Sequence, residues 1–170
     1  MRVSCWSDLC LIESASMIQL KKILLPTDFS QNSRSAEKYA CALADQFGAE
    51  LHVLYVLQDL TLIMPEPGAM FAIPAVNTAE IQQSAEKALA TIPDPGWSAG
   101  KKVVRATRNG SPYAEICGYA VDAGIDLIVI GTHGRSGLSH VLLGSVAEKV
   151  VRKANCPVLT VRPNERDFVK

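Results

Sequence analysis

A glycine-punctuated segment, Gly131 to Ser145, has the residue types and position to bind phosphate. It follows the β-branched apolar run 126–130, which predicts a buried strand, and precedes apolar residues at helical spacing. Gly134 and Gly144 permit close backbone approach, and the start of the next helix directs free N–H groups and a positive dipole at a ligand. The connection is also longer than the roughly 2–6 residues usual in such loops. These features predict a phosphate-binding loop.

A second strand end carries unusual residues. The apolar run Lys22–Leu25 ends at Pro26, Thr27 and Asp28. In parallel sheets, ligands bind beyond the carboxyl ends of the strands where the winding direction reverses. If the first and fourth strands are neighbours, the strand order is 3-2-1-4-5 and Asp28 faces the glycine loop. An Asx turn is the alternative role for Asp28.

Two elements must hold these strand ends in place, a parallel sheet and the helices that cover it. Apolar periodicity, with Gly, Pro and Ser at the boundaries, predicts five strands interleaved with four helices. This alternation predicts a three-layer α/β sandwich around a parallel sheet. The predicted strands are Lys22–Leu25, Leu51–Leu57, Lys102–Ala106, Asp126–Ile130 and Cys156–Val161. The first predicted helix ends at Gly48, and the second spans Ile81–Ile92, with Asn77 or Thr78 as its cap and Pro93 as its stop. The third predicted helix begins at Ser111–Pro112, and the fourth follows Ser145.

Ser145 and Glu148 form a predicted capping box for the fourth helix. Capping alone explains Ser145; the alternative adds a phosphate bound at the same helix start. The two roles are compatible.

Composition narrows the function classes. The 170 residues contain 17 Lys+Arg and 17 Asp+Glu, so no basic excess favours nucleic acid or an anionic membrane as partner. No apolar run reaches the roughly 18 residues of a membrane span. Five scattered cysteines without a Cys-x-x-Cys pair predict reduced thiols and a cytoplasmic protein, with Cys41, Cys117 and Cys156 buried.

Residues 17–165 are predicted to form one domain, and residues 1–16 a disordered leader or a translation start assigned too far upstream. The stretch 58–76 is too rich in proline to form a helix or strand and too apolar to be a free linker, so we expect it to pack on the sheet. The alternative is that this stretch forms a lid over the nucleotide or a surface that binds a partner. Val158–Val161, if it forms a sheet edge, is a template for antiparallel self-pairing.

The chain resembles the universal stress protein family, in its ATP-binding branch. The resemblance rests on Ile23–Ser30, on the spacing Gly131-x2-Gly134-x9-Gly144-Ser145, and on Cys156–Val161, and it covers Met17 to Arg162. It implies a flavodoxin-like, adenine nucleotide alpha hydrolase-like fold of order 3-2-1-4-5, ATP with or without Mg²⁺ in the crevice, and homodimers paired through the last strand. It also implies a regulator of the stress response that signals to an unidentified protein partner.

The resemblance assigns ligand contacts residue by residue. Asp28 would bond the ribose or adenine and is the candidate Mg²⁺ contact, and Val56 would meet adenine through its backbone. His133 lies in the same loop, where a solvent-facing position is favoured over a phosphate contact. The remaining implied nucleotide contacts are Pro26, Thr27, Gly131, Gly134, Arg135, Gly144, Ser145 and Val146.

Dedicated catalysis is not indicated. The chain has no Gly-x4-Gly-Lys-[Ser/Thr] motif, and no general base can be named beside Asp28. An ATP-binding regulator is therefore favoured over two alternatives, a slow ATPase or phosphotransferase and a nucleotide-free interaction module.

Overall fold

The computed structural model describes residues 18–58, 78–132, 143–163 and 169. Within them lies a parallel sheet of five strands in the order β3-β2-β1-β4-β5, as predicted. The strands are β1 (Lys22–Thr27), β2 (Glu50–Leu57), β3 (Val103–Asn109), β4 (Leu127–Gly131) and β5 (Val158–Val161). The helices are α1 (Gln31–Phe47), α2 (Thr78–Leu89), α3 (Pro95–Ser98), α4 (Pro112–Ala123) and α5 (Ser145–Lys153). The predictions for residues 1–16 and for nearly all of 58–76 lie outside the described residues.

Strand alternation divides the core into two layers and confirms the sandwich. Ile23, Leu25 and Val53 lie on the face covered by α1 and the end of α2. Leu24 and Ile128 lie on the other face, under α4 and α5. Because β1 and β4 are buried on both faces, their sequences are almost continuously apolar.

The first helix ends as predicted, and the second does not. Gly48 adopts φ 63° and closes α1, a conformation that favours glycine. The α2 helix ends at Leu89 rather than Ile92, because Arg105 of β3 draws the backbone into a turn: its Nε donates to the carbonyl oxygens of Leu89 and Ile92, at 3.1 and 2.8 Å.

The short α3 helix was not predicted. Asp94 is its N-cap and accepts hydrogen bonds from the backbone N–H groups of Gly96 and Trp97. The Asp94–Pro95 pair is a recognisable start signal, but it stands in a segment without apolar periodicity. The Trp97 indole then donates to Asp45 on α1 at 2.9 Å, which anchors the turn.

Other boundaries move by a few residues. The third strand begins at Val103 and runs on to Asn109, the last begins at Val158, and Ser111 is the N-cap of α4 without a side-chain hydrogen bond. At the opposite end of the sheet from the predicted site, Asp126 Oδ2 accepts from the backbone N–H groups of Lys21 and Lys22 at 2.7 and 2.9 Å, which joins β1 to the start of β4.

The thiols of Cys41, Cys117 and Cys156 are free but only partly buried, so the prediction that these three cysteines are buried is wrong. Cys41, Cys117 and Cys156 pack at the margins of the two core layers. Burial raises the pKa of the Cys41 thiol to about 12, with Glu37 and Asp45 adding to the effect. No helix within the described ranges is long and apolar enough to cross a membrane.

Candidate functional site

The predicted crevice lies where the sheet reverses its winding direction. The β1 strand pairs with β2 on one side and with β4 on the other, through Ile23↔Leu127 and Leu24↔Ile128. The α1 helix follows β1, and α5 follows β4, so two helices begin at the same edge of the sheet. This edge is the expected ligand-binding position of such a sheet.

Gly131, at the end of β4, lies directly against the first turn of α1. A Cβ atom on Gly131 would lie 2.9 Å from the carbonyl oxygen of Asn32 and 3.1 Å from its carbonyl carbon. Both atoms belong to the backbone of a helix, so they cannot move aside like the end of a side chain. Backbone packing is therefore sufficient to require glycine here, whatever the ligand.

The start of α5 is held by backbone hydrogen bonds across the base of the glycine segment. The Gly144 N–H donates to the Thr132 carbonyl at 2.6 Å, and the Thr132 N–H donates to the Val161 carbonyl at 2.9 Å. These bonds fix Gly144 beside the end of β4.

The predicted capping box is wrong. Gly144, not Ser145, is the N-cap residue, with φ −68° and ψ 155°, and its carbonyl accepts from the N–H of Glu148 at 2.9 Å. The helix begins one residue early because Gly144 is already fixed to Thr132. The Glu148 carboxylate instead pairs with Arg152 at 3.0 Å. The N-cap glycine has no side chain that could bond the first N–H groups of α5, so no N-cap side chain competes with a ligand for them.

The start of α1 is capped by hydroxyl groups. Ser30 is the N-cap and accepts from the Ser33 N–H at 3.3 Å. The buried Thr27 Oγ1 lies 3.2 Å from Ser33 Oγ and accepts from the Phe29 N–H at 3.1 Å. Ser33 Oγ donates to the Ser30 carbonyl at 2.8 Å. The Thr27 side chain therefore serves this network.

Asp28 makes the Asx turn considered as its alternative role. Its Oδ1 accepts from the Ser30 N–H at 3.0 Å, two residues on. Phe29, between them, adopts φ 64°, a left-handed conformation that is rare for a bulky residue. Asp28 is only partly buried, so its place in the turn does not remove the carboxylate from the crevice.

Val56 occupies a position suited to a backbone contact. The β1–β2 ladder ends at Thr27↔Tyr55, so Val56 is the first residue of β2 beyond it. Its side chain packs against the α4 and α5 layer. The backbone of Val56 thus lies next to the end of β1, at the same edge as Asp28.

A small cavity of about 240 Å³ lies beside this edge, under α2. The rings of Phe29 and Tyr55 face each other across 4.6 Å and form one wall. The opposite wall is lined by the α2 residues Ile81, Ser84, Ala85 and Ala88.

The structure places most of the predicted contacts at one edge of the sheet. These are Pro26, Thr27, Asp28, Val56, Gly131, Gly144, Ser145 and Val146. His133, Gly134 and Arg135 lie outside the described residues. Among the residues that the structure describes, no three His, Cys, Asp or Glu side chains cluster as metal ligands.

Sequence reasoning missed three residues at this edge. Ser30 and Ser33 cap α1, and the spacing Ser-x-x-Ser ahead of an apolar-periodic run was a usable signal. Phe29 gave no signal, because its left-handed backbone is imposed by the Asp28 turn and by packing on Tyr55 rather than by its residue type.

Comparison with known proteins finds relatives of one family. The model of the universal stress protein family matches residues 19–162. The universal stress protein MJ0531 of Methanocaldococcus jannaschii is 35% identical over 148 residues, covering 86% of this chain and 85% of its own length. Universal stress protein YxiE of Bacillus subtilis is 34% identical over 145 residues, covering 83% and 98% of the two chains.

The solved structures show the same architecture. The M. jannaschii protein MJ0577 superposes with a TM-score of 0.71 at 30% identity, covering 88% of this chain and all of its own. A universal stress protein of Archaeoglobus fulgidus, solved in complex with dAMP, shares the fold at a TM-score of 0.53 and 22% identity. With its parallel sheet, strand order and family match, the chain belongs to the universal stress protein family.

Proposed function

We propose that this protein binds ATP across the crevice between the ends of β1 and β4, and that nucleotide occupancy makes it a regulator of the stress response. One observation carries the proposal: α1 and α5 both begin at this edge, and the N-cap residue of α5 is Gly144, which has no side chain to bond the first N–H groups of that helix. Free N–H groups and the positive end of a helix dipole favour an anion at that position.

The other contacts extend from the phosphates toward β2. Gly144, Ser145 and Val146 would hold phosphate through the start of α5, with Gly134 and Arg135 adding to that contact. Gly131, Pro26 and Thr27 would form the floor of the crevice. Asp28 would accept a hydrogen bond from the ribose or adenine and contact Mg²⁺ when it is present, and the Val56 backbone would meet adenine.

The nucleotide complex of the A. fulgidus protein supports an adenylate ligand for the fold. We further propose that residues 17–165 form one universal stress protein domain, with residues 1–16 outside it. The unlinked thiols of Cys41, Cys117 and Cys156 fit a cytoplasmic location.

The phosphate contact is tested by two variants of equal size, Gly144→Asp and Gly144→Asn. The backbone at Gly144 has φ −68° and ψ 155°, which any residue can adopt, and both side chains are good N-caps, so both variants should fold. Only aspartate places a negative charge where the phosphates are proposed to bind. We expect ATP to bind Gly144→Asp at least about tenfold more weakly than Gly144→Asn, a difference of roughly 1.4 kcal/mol.

Calorimetric titration with ATP and MgCl₂ measures both affinities, and thermal unfolding without nucleotide checks the fold of each variant. Equal affinities of the two variants would place the phosphates elsewhere, because charge at Gly144 would then not matter.

We also propose a homodimer formed through β5, with Val158–Val161 of two copies antiparallel. The carbonyls of Pro157 and Val161 accept bonds from β4, so the alternate residues Val158 and Thr160 direct their backbone groups outward. Thr160→Pro removes one outward N–H without breaking the β4 ladder, and Thr160→Val keeps it. We expect sedimentation to show a monomer for the first and a dimer for the second; a dimer in both would exclude pairing through this strand.

A further inference from the structure

His52 connects the sheet to α4 in a buried cluster away from the crevice. The residue lies on β2, is 5% exposed, and its Nδ1 is 2.8 Å from the Tyr119 hydroxyl of α4. Its Nε2 lies 2.9 Å from Oε1 of Glu50, in an orientation that does not complete a hydrogen bond. The two rings also meet edge to face, 5.7 Å apart. The imidazole is therefore the polar link between β2 and the middle of α4.

The partners determine how the neutral ring is protonated. A carboxylate only accepts hydrogen bonds, so the ring proton belongs on Nε2, which faces Glu50. Nδ1 then accepts from the Tyr119 hydroxyl. When the ring takes up a second proton, Nδ1 becomes a donor and the Tyr119 hydroxyl must turn its own proton away. Protonation therefore reverses the contact between the two residues.

The surroundings of His52 compensate a buried imidazolium only in part. Burial lowers the pKa of His52 from 6.5, the Lys22 cation on β1 adds to the lowering, and the Glu50 carboxylate opposes it only in part. From β3, Arg108 brings a further cation to 5.5 Å from the Tyr119 ring, and that cation is paired with Asp122 and with Glu115 of α4. A positive charge on His52 would thus lie in a buried site near the Lys22 cation, where the Glu50 carboxylate offsets only part of the cost of burial.

We propose that His52 and Tyr119 form an acid-sensitive latch that holds α4 on the sheet at neutral pH and releases it when the imidazole is protonated. The α4 helix also packs against α5, because Ala120 of α4 lies in the same core cluster as Ala147 and Val150 of α5. Acid release of α4 therefore reaches the helix that begins at the crevice.

The sign of the pH effect follows from the lowered pKa. The unfolded chain takes up the proton near pH 6.5 and the folded chain at lower pH, so stability is full above 6.5 and is lost as pH falls through that value. Between pH 7.5 and 5.5 one such group changes the unfolding equilibrium constant by at most about tenfold.

The test uses urea unfolding at both pH values for the wild type, His52→Asn and Glu50→Gln. Asparagine offers an oxygen near the position of Nδ1 to the Tyr119 hydroxyl but does not titrate. Lowering the pH from 7.5 to 5.5 should raise the unfolding equilibrium constant of the wild type several-fold more than that of His52→Asn. The difference between the two proteins is the contribution of His52. Glu50→Gln should enlarge the acid effect, because it removes the anion that opposes the lowered pKa. Equal pH dependence in the wild type and His52→Asn would overturn the proposal.

Hydrogen exchange at the same two pH values, corrected for intrinsic rates, locates the release. Acid should speed exchange in the amides of residues 116–123 in the wild type more than in those of α1, and should not do so in His52→Asn. A uniform increase in both helices would refute a latch and leave only a global loss of stability. Glu50→Gln retains His52 and Tyr119 and so provides a folded variant if His52→Asn does not fold.

Discussion

Replacing Gly131 with alanine tests whether backbone packing, rather than a ligand, requires glycine at the end of β4. The backbone at Gly131 is not left-handed, so alanine adds no conformational strain. The added methyl carbon would lie 2.9 Å from the Asn32 carbonyl oxygen, a distance that Cβ atoms essentially never show. Either the end of β4 or the first turn of α1 must therefore shift.

The size of the effect follows from overpacking. Forcing an extra methyl group into a packed region costs typically about 1–3 kcal/mol. A domain of this length loses roughly 2–4 °C of melting temperature per kcal/mol, so we expect Gly131→Ala to melt about 2–12 °C below the wild type. Because either shift moves one side of the proposed crevice, ATP binding should weaken as well.

Gly118 provides the matched control. It lies inside α4, is exposed, and a Cβ atom there would meet nothing within 4 Å. Alanine in a helix is favoured over glycine by about 0.5–1 kcal/mol, so Gly118→Ala should melt slightly higher than the wild type. Calorimetric melting without nucleotide measures all three proteins. A melting temperature of Gly131→Ala equal to that of the wild type would refute the packing argument and leave ligand approach as the reason for the glycine.

Three further predictions concern single side chains. Asp126→Ala leaves two backbone N–H groups at the start of β1 without their acceptor, so it should lower the unfolding free energy by about 2–3 kcal/mol in urea titrations. Asp126→Asn keeps one acceptor oxygen and should lower it less. Equal losses in the two variants would show that the charge of Asp126, rather than its acceptor oxygen, matters. Burial raises the pKa of Cys41 to about 12, so at pH 8 its thiol should react with iodoacetamide roughly a thousandfold more slowly in the folded than in the unfolded protein. Peptide mass spectrometry follows both reactions, and similar rates would contradict the burial of this thiol. Asp28→Asn keeps the acceptor for the Ser30 N–H and should melt like the wild type while binding ATP more weakly; unchanged affinity would limit Asp28 to its turn.

The fold was largely predictable because its signals are local and repeated. The apolar runs of β1, β2 and β4 and the stop at Gly48 each specify their element from a few residues. The strand order followed from the two unusual strand ends, since a parallel sheet brings ligand-binding ends together at its switch point.

The errors arose where a distant contact decides the local structure. The end of α2 depends on Arg105 of β3, and the cap of α5 depends on the Thr132 carbonyl. The neighbour of Gly131 is a backbone carbonyl of α1, which no pattern around residue 131 indicates. The His52–Tyr119 link joins residues 67 positions apart and likewise left no local pattern.

Hydrogen exchange of the wild-type protein, with and without saturating ATP and MgCl₂, tests whether ATP binds at the starts of α1 and α5. Ligand at about 100 times its Kd should stabilise the folded state by roughly 2.7 kcal/mol, which makes binding detectable in the same samples by melting. We predict slower exchange at the amides of Gly131, Thr132 and residues 144–148, with smaller changes at the amino-terminal end of the sheet. Unchanged exchange at those amides in the presence of saturating ATP would show that ATP does not bind at these helix starts.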